Sequence, residues 1–411
     1  MNQRMVLPTA KNPLQRKEKD RYDLDAYRRS VKLKKIRRII LTVMSLLIIL
    51  IVLLGGIYLY RNYDVDNLAQ TLTGGQTETG TVISNSFPVS LGGEIPQELT
   101  TTGNSLVLRT TDEVIFFDNG GSTQHSFTHR YTNPVLKSGG SRLLTYDRGG
   151  YGYRIDSGSG LHYSGRTEST LITGTISSRG SYALAVSETR YAGSVIVHSR
   201  SNEEILRWYS ASDQIVDLAF SDDGAYLAIA CVGFESNSLV AKVYIIDVNR
   251  PSSEEKGVAA FAGAMPVAVD YKSDGSIHLL CDTFVGVISG DLQTQLEVPF
   301  SNSIYRYVFT PSRTILLNTD TSAVSFTLTS VDRSGNKEDV QVKGGGNDVC
   351  VDDNGMIYLL EKTSILTFDS SLELKKELAT DSSVFAMATL GNKLYLLSDS
   401  KLARWEDMAL S

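Results

Sequence analysis

Hydrophobic and polar positions follow two different patterns along this chain. Residues 39–60 form a run of 22 residues without a charged side chain. From about residue 86 onward, short apolar and polar alternations are separated by glycine, aspartate and asparagine. A continuous apolar run of about 20 residues is long enough to cross a bilayer as a helix, whereas short alternating segments predict half-buried strands. The sequence therefore predicts one membrane-spanning helix followed by an all-β domain.

The alternating region repeats one unit. Each copy contains a strand, a tight turn, an apolar strand, a loop and a third strand, and most copies are followed by a more polar segment. The turn residues are 36 to 51 positions apart. Repeats of about 40 residues with four strands each are typical of β-propeller blades. The eight turn residues are Gly103, Gly140, Gly180, Gly224, Gly275, Ser312, Gly355 and Gly391.

The predicted fold class is all-β, a β-propeller of eight four-stranded blades preceded by one transmembrane α-helix. Seven blades are the alternative, because the spacing of the turns is uneven. The last copy ends soon after its third strand, so we expect the segment TVISNSFPVS at residues 81–90 to supply the missing outer strand and close the ring. A closed ring lets each sheet bury both faces against its neighbours, which an isolated blade cannot do.

The segments SDDGAYLAIA, DNGMIYLL and GNKLYLL resemble repeats of WD40-like and PQQ-like propellers. Over about residues 85–408 the chain is also similar to an uncharacterised family of single-span, extracytoplasmic β-propeller proteins of Gram-positive bacteria. This resemblance implies a topology and a shape but no known activity. With 2 tryptophans in the chain, the recurrent tryptophan docking motif of quinone-dependent propellers is missing. No quinone or other cofactor is predicted.

Charge divides the chain at the apolar run. Residues 1–38 carry 13 of the 40 basic and 4 of the 46 acidic side chains, a formal charge of +9, and the remainder carries −15. The positive-inside rule places the basic segment in the cytoplasm and the large domain outside. We therefore predict a cytoplasmic tail (1–38), a signal-anchor helix (39–60), a polar linker (61–85) and a propeller ectodomain (86–411), in a single-pass protein of the cell membrane.

The charge distribution also limits the partners. An acidic domain disfavours nucleic-acid binding, because phosphate contacts need a basic surface. The basic tail is instead expected to contact anionic lipid headgroups at the cytoplasmic leaflet.

Candidate residues for metal or redox chemistry are few. Cys231, Cys281 and Cys350 are an odd number without a C-x-x-C spacing, so neither a disulfide framework nor a zinc site is predicted. Cys231 and Cys281 end apolar segments and are expected to be buried. His125 and His129 are four positions apart, but on a strand that spacing does not give the shared helical face of a metal site. We expect them to be surface histidines.

Catalytic and calcium-binding motifs are also absent. The chain has no P-loop, no G-x-G-x-x-G opening a helix and no G-x-S-x-G elbow. The acidic turns at 222–224 and 352–355 do not continue into a twelve-residue calcium loop, and hairpin turns select aspartate and asparagine for their own geometry. No catalytic residue and no metal ligand is predicted.

One acidic pattern recurs in every repeat. An acidic residue stands at the end of the second strand or in the loop after it, and in a propeller these loops emerge on one face. Such a rim could attract a basic partner or cations, whereas the alternative is that each acid serves its own hairpin turn. The eight residues are Asp112, Asp147, Glu188, Glu235, Asp282, Asp320, Glu361 and Asp399.

The same loops provide a second candidate set. Arg148 and Tyr151 lie in the glycine-rich turn RGGYGYR, and Phe234 precedes Glu235 in the longest loop of this class. Tyrosine and arginine are frequent binding hot spots, so we treat these three residues as candidate contacts. The neighbouring Tyr153 is instead expected to pack between blades.

Three functions are compatible with these observations. The favoured one is a membrane-anchored extracytoplasmic binding or scaffolding module that presents its acidic loop face to a protein or envelope polymer. The alternative is a transmembrane signalling subunit whose basic tail reports ectodomain binding to a cytoplasmic partner. The third is an enzyme acting on an envelope glycan, which would need clustered acids or histidines at the propeller axis.

Overall fold

The structure, a computed structural model, describes residues 87–250, 255–320 and 325–405. The expected tail (1–38), signal-anchor helix (39–60) and linker (61–85) lie outside the described residues. Within the described ranges, no helix has the length and apolar character that crossing a membrane requires.

The described chain folds into 32 β-strands. In chain order they are β1 (Val89–Ser90), β2 (Pro96–Thr102), β3 (Ser105–Thr110), β4 (Glu113–Phe117), β5 (Thr123–Thr128), β6 (Pro134–Gly139), β7 (Arg142–Asp147), β8 (Gly152–Ser157), β9 (Gly160–Arg166), β10 (Leu171–Ile176), β11 (Tyr182–Val186), β12 (Gly193–His198), β13 (Glu204–Ser210), β14 (Gln214–Phe220), β15 (Tyr226–Glu235), β16 (Ser238–Asp247), β17 (Glu255–Ala262), β18 (Pro266–Tyr271), β19 (Ile277–Cys281), β20 (Phe284–Ile288), β21 (Gln295–Pro299), β22 (Ser303–Phe309), β23 (Arg313–Thr319), β24 (Phe326–Asp332), β25 (Lys337–Val342), β26 (Asp348–Val351), β27 (Ile357–Leu360), β28 (Ser364–Phe368), β29 (Leu374–Ala379), β30 (Val384–Leu390), β31 (Lys393–Ser398) and β32 (Lys401–Arg404).

These strands form eight four-stranded antiparallel sheets, which confirms the eight-bladed propeller. Blades 1 to 7 each take four consecutive strands, starting with β2–β5 and ending with β26–β29. Within a blade we call the strands a, b, c and d from the inside outward. The a strands of neighbouring blades contact one another and so surround the central axis.

Blade 8 closes the ring with strands from both ends of the described chain. Its strands β30, β31 and β32 are completed by β1, in which Val89 pairs with Leu402 and Ser90 with Lys401. The closing strand thus comes from the segment expected for it, but its described part is only 2 residues long. An apolar cluster that joins Leu106 of blade 1 to Tyr395 of blade 8 supplies the rest of the closure.

Burial explains why the strands have the sequences they do. The b and c strands lie mid-sheet and are covered by a neighbouring blade on each face, so they read as continuous apolar runs. Strands β11, β19 and β20 are buried at every residue, whereas the outer strand β29 is almost entirely exposed. Tyr153 is buried in an inter-blade cluster, as expected.

The turns between a and b strands confirm the alignment of the repeats. Seven of the eight predicted turn residues are glycines with positive φ, a conformation that other residues rarely adopt. The exception is Ser312, which follows Pro311 in a turn closed by a hydrogen bond from Thr310 N to Arg313 O. Proline fixes φ near −65°, so this turn needs no glycine.

The two faces of the ring carry different connections. Because the strands are antiparallel, the a–b and c–d turns leave one end of each blade, and the b–c turns and the links to the next blade leave the other. Hydrogen bonds connect segments that leave the same end of the blades. Gly103 N donates to Gly140 O between two a–b turns, and Gly344 N on a link donates to the Glu361 carboxylate at a b–c turn. We call these ends the a–b face and the b–c face.

The cysteines are as buried as the sequence predicted, whereas His129 is more buried than expected. Cys231 and Cys281 are buried with free thiols, as expected, and burial raises the pKa of Cys281 to about 12. The surface location expected for the two histidines is wrong for His129, whereas His125 is half-buried on the outer strand β5. His129 is 5 % exposed, and His125 Nε2 lies 3.0 Å from the carboxylate of the buried Asp156. The His129 ring is therefore part of the interior, and the His125 ring lies between blades 1 and 2 with part of its surface in solvent.

Candidate functional site: the b–c face

The structure places the eight acids of the recurrent pattern at the b–c face. Asp147 and Glu235 end b strands, and the other six lie in b–c turns. Glu188, Asp320 and Glu361 are half-buried, like Asp147, while Asp112, Glu235, Asp282 and Asp399 are exposed: the side chains form a rim but differ in accessibility.

Several of these acids serve the local backbone. Asp147 Oδ1 accepts a hydrogen bond from Asn133 N (2.8 Å), and Asp282 Oδ1 accepts one from Met265 N (3.1 Å). Glu188 accepts one from a hydroxyl 2.7 Å away. In each case a carboxylate satisfies a donor at the end of a blade, where strand pairing stops.

Asp112 and Asp399 differ from this local pattern. Both are exposed, and within the described residues neither carboxylate accepts a hydrogen bond. Their charges are therefore free for an external partner.

Negative charge does not distinguish the two faces. The c–d turns of the opposite face carry aspartates of their own, most of which accept hydrogen bonds from backbone N–H groups of the same turn. These residues are Asp118, Asp247, Asp291, Asp332 and Asp369.

Exposed apolar side chains do distinguish the faces. On the a–b face, the exposed large apolar residues nearest the turns are Leu161 and Leu374, at the beginning of the outer strands β9 and β29. At the tips of the b–c face, five large apolar side chains of the described residues are exposed, four in loops and one at the end of β15. They are Ile95, Tyr151, Tyr191, Phe234 and Met265. Soluble surfaces rarely gather such residues on one side without a binding role.

Four of the five form what we call the apolar arc: Tyr151 in blade 2, Tyr191 in blade 3, Phe234 in blade 4 and Met265 on the link to blade 5. In blade 3 the Tyr191 ring packs on Tyr209, with centroids 4.8 Å apart. The arc therefore continues across consecutive blades.

Phe234 stands at the tip of the longest hairpin. Strands β15 and β16 have 10 residues each, and Gly233 to Glu235 extend past the end of the a strand, which pairs only as far as Val232. At about 3.3 Å per residue this places Phe234 roughly 7 Å beyond the end of the a strand. Phe234 is 77 % exposed. Ser236 and Asn237 close the hairpin with φ values of 47° and 68°, as a type I′ turn requires.

A buried carboxylate braces this hairpin. Asp213, 5 % exposed, accepts hydrogen bonds from Lys242 Nζ (3.0 Å) and the Tyr244 hydroxyl (2.5 Å). Burial opposes ionisation of Asp213, but these donors outweigh it and lower its pKa. Lys242 Nζ also lies 2.8 Å from Glu235 Oε1. A side chain at Gly233 would overlap Asp213, so glycine is required for this close approach.

The residues chosen from the sequence for their aromatic or cationic character all reach this face. Arg148, Tyr151 and Phe234 are exposed there. Sequence reasoning missed Tyr191 and Met265. Tyr191 lies in the same b–c turn as Glu188, so its loop class was a usable signal, whereas Met265 is on a link between blades that carries no repeat motif.

The face shows no arrangement for metal chemistry. Among the described residues, no group of three or more histidine, cysteine, aspartate and glutamate side chains is placed to hold a metal ion.

Comparison with known families gives a family without an assigned role. Residues 85–406 match a family described as "Family of unknown function (DUF5711)", and the chain belongs to it. No curated protein matches the sequence.

Solved structures support the fold. The C-terminal WD40 domain of Sif2 is 9% identical with a TM-score of 0.56, covering 80% of this chain and 99% of that domain. BamB from Moraxella catarrhalis is 9% identical with a TM-score of 0.53, covering 79% of this chain and 100% of that one. At such identities the likeness establishes a WD40-like propeller and nothing further.

Proposed function

We propose that this member of the DUF5711 family is a binding or scaffolding module that residues 39–60 hold at the cell membrane, with the propeller outside. Its b–c face would present the apolar arc and the acidic rim to a protein or an envelope polymer. Propellers commonly serve as interaction scaffolds, because a rigid ring displays many loops.

The apolar arc is the observation that carries this proposal. Tyr151, Tyr191, Phe234 and Met265 are between 41 % and 77 % exposed, and within the described residues the loops of the opposite face carry no exposed large apolar side chain. Exposed apolar groups gain free energy when a partner removes them from water, at about 25 cal/mol per Å². Aromatic side chains near the centre of an interface contribute most of that gain.

The surrounding acids favour a partner with basic groups. Glu235 lies next to Phe234, while Asp112 and Asp399 are exposed without local partners. Complementary charge speeds association and selects partners more than it adds affinity, so this contribution should weaken with salt.

Site-specific photocrosslinking in intact cells tests the arc. A photoreactive amino acid at Tyr191 should give a discrete adduct, whereas the same group at Asn119, exposed on the a–b face, should not. Phe234→Ser in the Tyr191 probe chain should abolish the adduct. Ile205→Ser is the matched control, because Ile205 is 38 % exposed on an outer strand away from the arc. Equal adducts from both faces, or an adduct indifferent to Phe234→Ser, would refute the proposal.

A second pair of variants tests whether the acidic residues contribute to partner binding. Asp112→Asn with Asp399→Asn should reduce the adduct and its salt dependence, and Asp353→Asn, at an exposed a–b turn position, should not. Replacing residues 1–60 with an unrelated anchor should leave the adduct unchanged. Loss of a cellular response without loss of the adduct in that chimera would favour the signalling alternative.

A further inference from the structure

The central channel holds a cavity at the end opposite the apolar arc. It has a volume of about 350 Å³ and is lined by the a strands of blades 2 to 6, namely β6, β10, β14, β18 and β22, together with the adjoining a–b turns. This volume is at the small end of the range for ligand pockets, about 300–1,000 Å³. It suits one small ligand or one unit of a polymer.

One wall carries a lysine–aspartate pair. Lys137 Nζ lies 3.4 Å from Asp217 Oδ1. Asp217 also accepts hydrogen bonds from Val269 N (3.2 Å) and Thr173 Oγ1 (3.5 Å), so its oxygens are occupied within the fold. An ammonium has three N–H donors, and Asp217 is the hydrogen-bond partner that the described residues provide for Lys137. Its side chain is 33 % exposed, which leaves donors for a ligand.

Lys137 remains a cation in this position. Burial opposes its charge, but the neighbouring Asp217 outweighs burial and raises the pKa of Lys137. The pair as a whole is neutral, and the other charged residues that line the cavity are Asp222 and Asp270, so the cavity offers directed hydrogen bonds without an excess of positive charge.

The opposite wall is aromatic. Tyr307 is 39 % exposed, and its ring packs edge-to-face on Phe309 with centroids 5.4 Å apart. Phe309 is fixed in turn by the ammonium of Lys272, which lies 4.6 Å from its ring centroid. Lys272 is fully buried and bonded to Asp270, Thr310 and Arg313. Tyr307 therefore presents its side chain to the cavity from a rigid support.

A buried hydroxyl at the cavity lacks a partner. Ser177 lines the cavity and is 2 % exposed, and its Oγ has no hydrogen-bond partner among the described residues. Because this oxygen is enclosed by protein, a buried water rather than a cavity ligand is its natural partner. Further hydroxyls of Ser138, Thr175 and Ser178 line the same wall.

These groups match one ligand chemistry. A phosphate or nucleotide would need cations in excess, and here the cationic Lys137 is neutralised by Asp217. An apolar ligand would leave the hydroxyls and the lysine donors unsatisfied. A sugar ring has hydroxyls that both donate and accept hydrogen bonds at its edge and apolar C–H groups on its face.

We propose that the cavity at the a–b end of the channel binds one ring of a neutral sugar, stacked on Tyr307 and hydrogen-bonded by Lys137 and by the exposed hydroxyls of Ser138 and Ser178. This site is separate from the b–c face and does not depend on the function proposed for it. The sugar can be a free saccharide or the end of a glycan chain, since both present the same ring.

Ligand-observed NMR with the full-length chain tests this site. The probes are glucose, N-acetylglucosamine, maltose and chitobiose, with glycerol as a small polyol control. The detergent must lack a sugar headgroup, because a maltoside would occupy the site. We expect at least one sugar to show saturation transfer and glycerol to show none.

Two variants and one matched control locate the binding. Tyr307→Ala should weaken the affinity about tenfold through lost stacking, and Lys137→Met should weaken it by a similar factor. Tyr305→Ala is the control: Tyr305 is on the same strand and 38 % exposed, but its ring packs on Phe326 away from the cavity. It should change the affinity less than twofold.

Three results would overturn the proposal. No sugar of the panel binds, glycerol competes as well as the sugars, or Tyr307→Ala and Lys137→Met bind as well as the unmodified chain. Lys137→Met also guards against misfolding of the tyrosine variant, and circular dichroism confirms that both variants keep the strand content. Because the crosslinking experiment uses the other face, failure here would leave that experiment's outcome unchanged.

Discussion

Asp348 gives a quantitative test of how the inner strands pack. Asp348 begins β26, and its Oδ2 accepts a hydrogen bond from Met387 N on the a strand of blade 8 (2.8 Å). Burial of the carboxylate raises its pKa from 3.8 to about 6. The inter-blade position thus favours the protonated form in the folded state.

The sign and size of the effect follow from linkage. Between pH 3.8 and about 6 the unfolded chain loses a proton that the folded chain keeps, so stability falls as the pH rises through this window. A shift of about two units corresponds to roughly 3 kcal/mol of stability, at about 1.4 kcal/mol per unit. Asp348→Asn keeps the acceptor for Met387 N and remains neutral. At pH 7.5 we therefore expect it to stabilise the propeller by about 2–3 kcal/mol.

Urea unfolding of the full-length chain, followed by tryptophan fluorescence, measures this difference. Trp405 is a suitable probe because it packs against the cluster that contains Cys350, two residues from Asp348. The gain should shrink to a few tenths of a kcal/mol near pH 4, where the folded carboxyl is already protonated. Asp399→Asn, at an exposed position, is the matched control and should change stability little at either pH. A gain at pH 4 as large as at pH 7.5, or none at pH 7.5, would refute the assignment.

Three further predictions concern the hairpin and the inner strands. Gly233→Ala should destabilise the b–c hairpin by about 1–3 kcal/mol, since its Cβ overlaps Asp213, and hydrogen exchange of β15 and β16 should accelerate selectively. Asn237→Gly should stabilise the propeller by about 0.5 kcal/mol in thermal unfolding, because the φ of 68° suits glycine. A loss of stability would contradict the type I′ turn. Lys272→Met should lower the free energy of unfolding in urea by about 3–5 kcal/mol, because it leaves the Asp270 carboxylate without its ammonium partner. A smaller loss at pH 4 than at pH 7.5 would show that the charge of Asp270 causes it.

The acidic rim shows that a recurrent acidic pattern can have a local structural cause. Its regular occurrence suggested a selected binding surface, yet Asp147 and Asp282 accept backbone hydrogen bonds at blade ends, and the c–d turns of the opposite face are acidic for the same reason. Hairpin turns recruit aspartate wherever backbone donors lack strand partners. Function is better sought in Asp112, Asp399 and the apolar arc, where local structure does not account for the side chain.

Local chemistry was sufficient to predict the architecture. The positive-φ turn glycines, such as Gly180 and Gly355, recur in seven of the eight blades, and apolar runs mark the b strands, because each blade buries both faces of its sheet in the same way. This periodicity predicts the strand order, the closing segment and eight blades, although the uneven spacing left seven as an alternative that only the eight sheets of the structure exclude. The polarity of the outer strands follows too, since β13, β21 and β29 face solvent.

The contacts between side chains that are distant in sequence could be seen only in the folded structure. His129 was expected at the surface but is buried where blades pack, and Asp213 braces a hairpin whose lysine lies 29 residues away. The pairing of Lys137 with Asp217 spans 80 residues and passes across a third blade. Periodicity specifies how each blade folds, but contacts near the axis arise only when the ring closes, because distant repeats are brought together there.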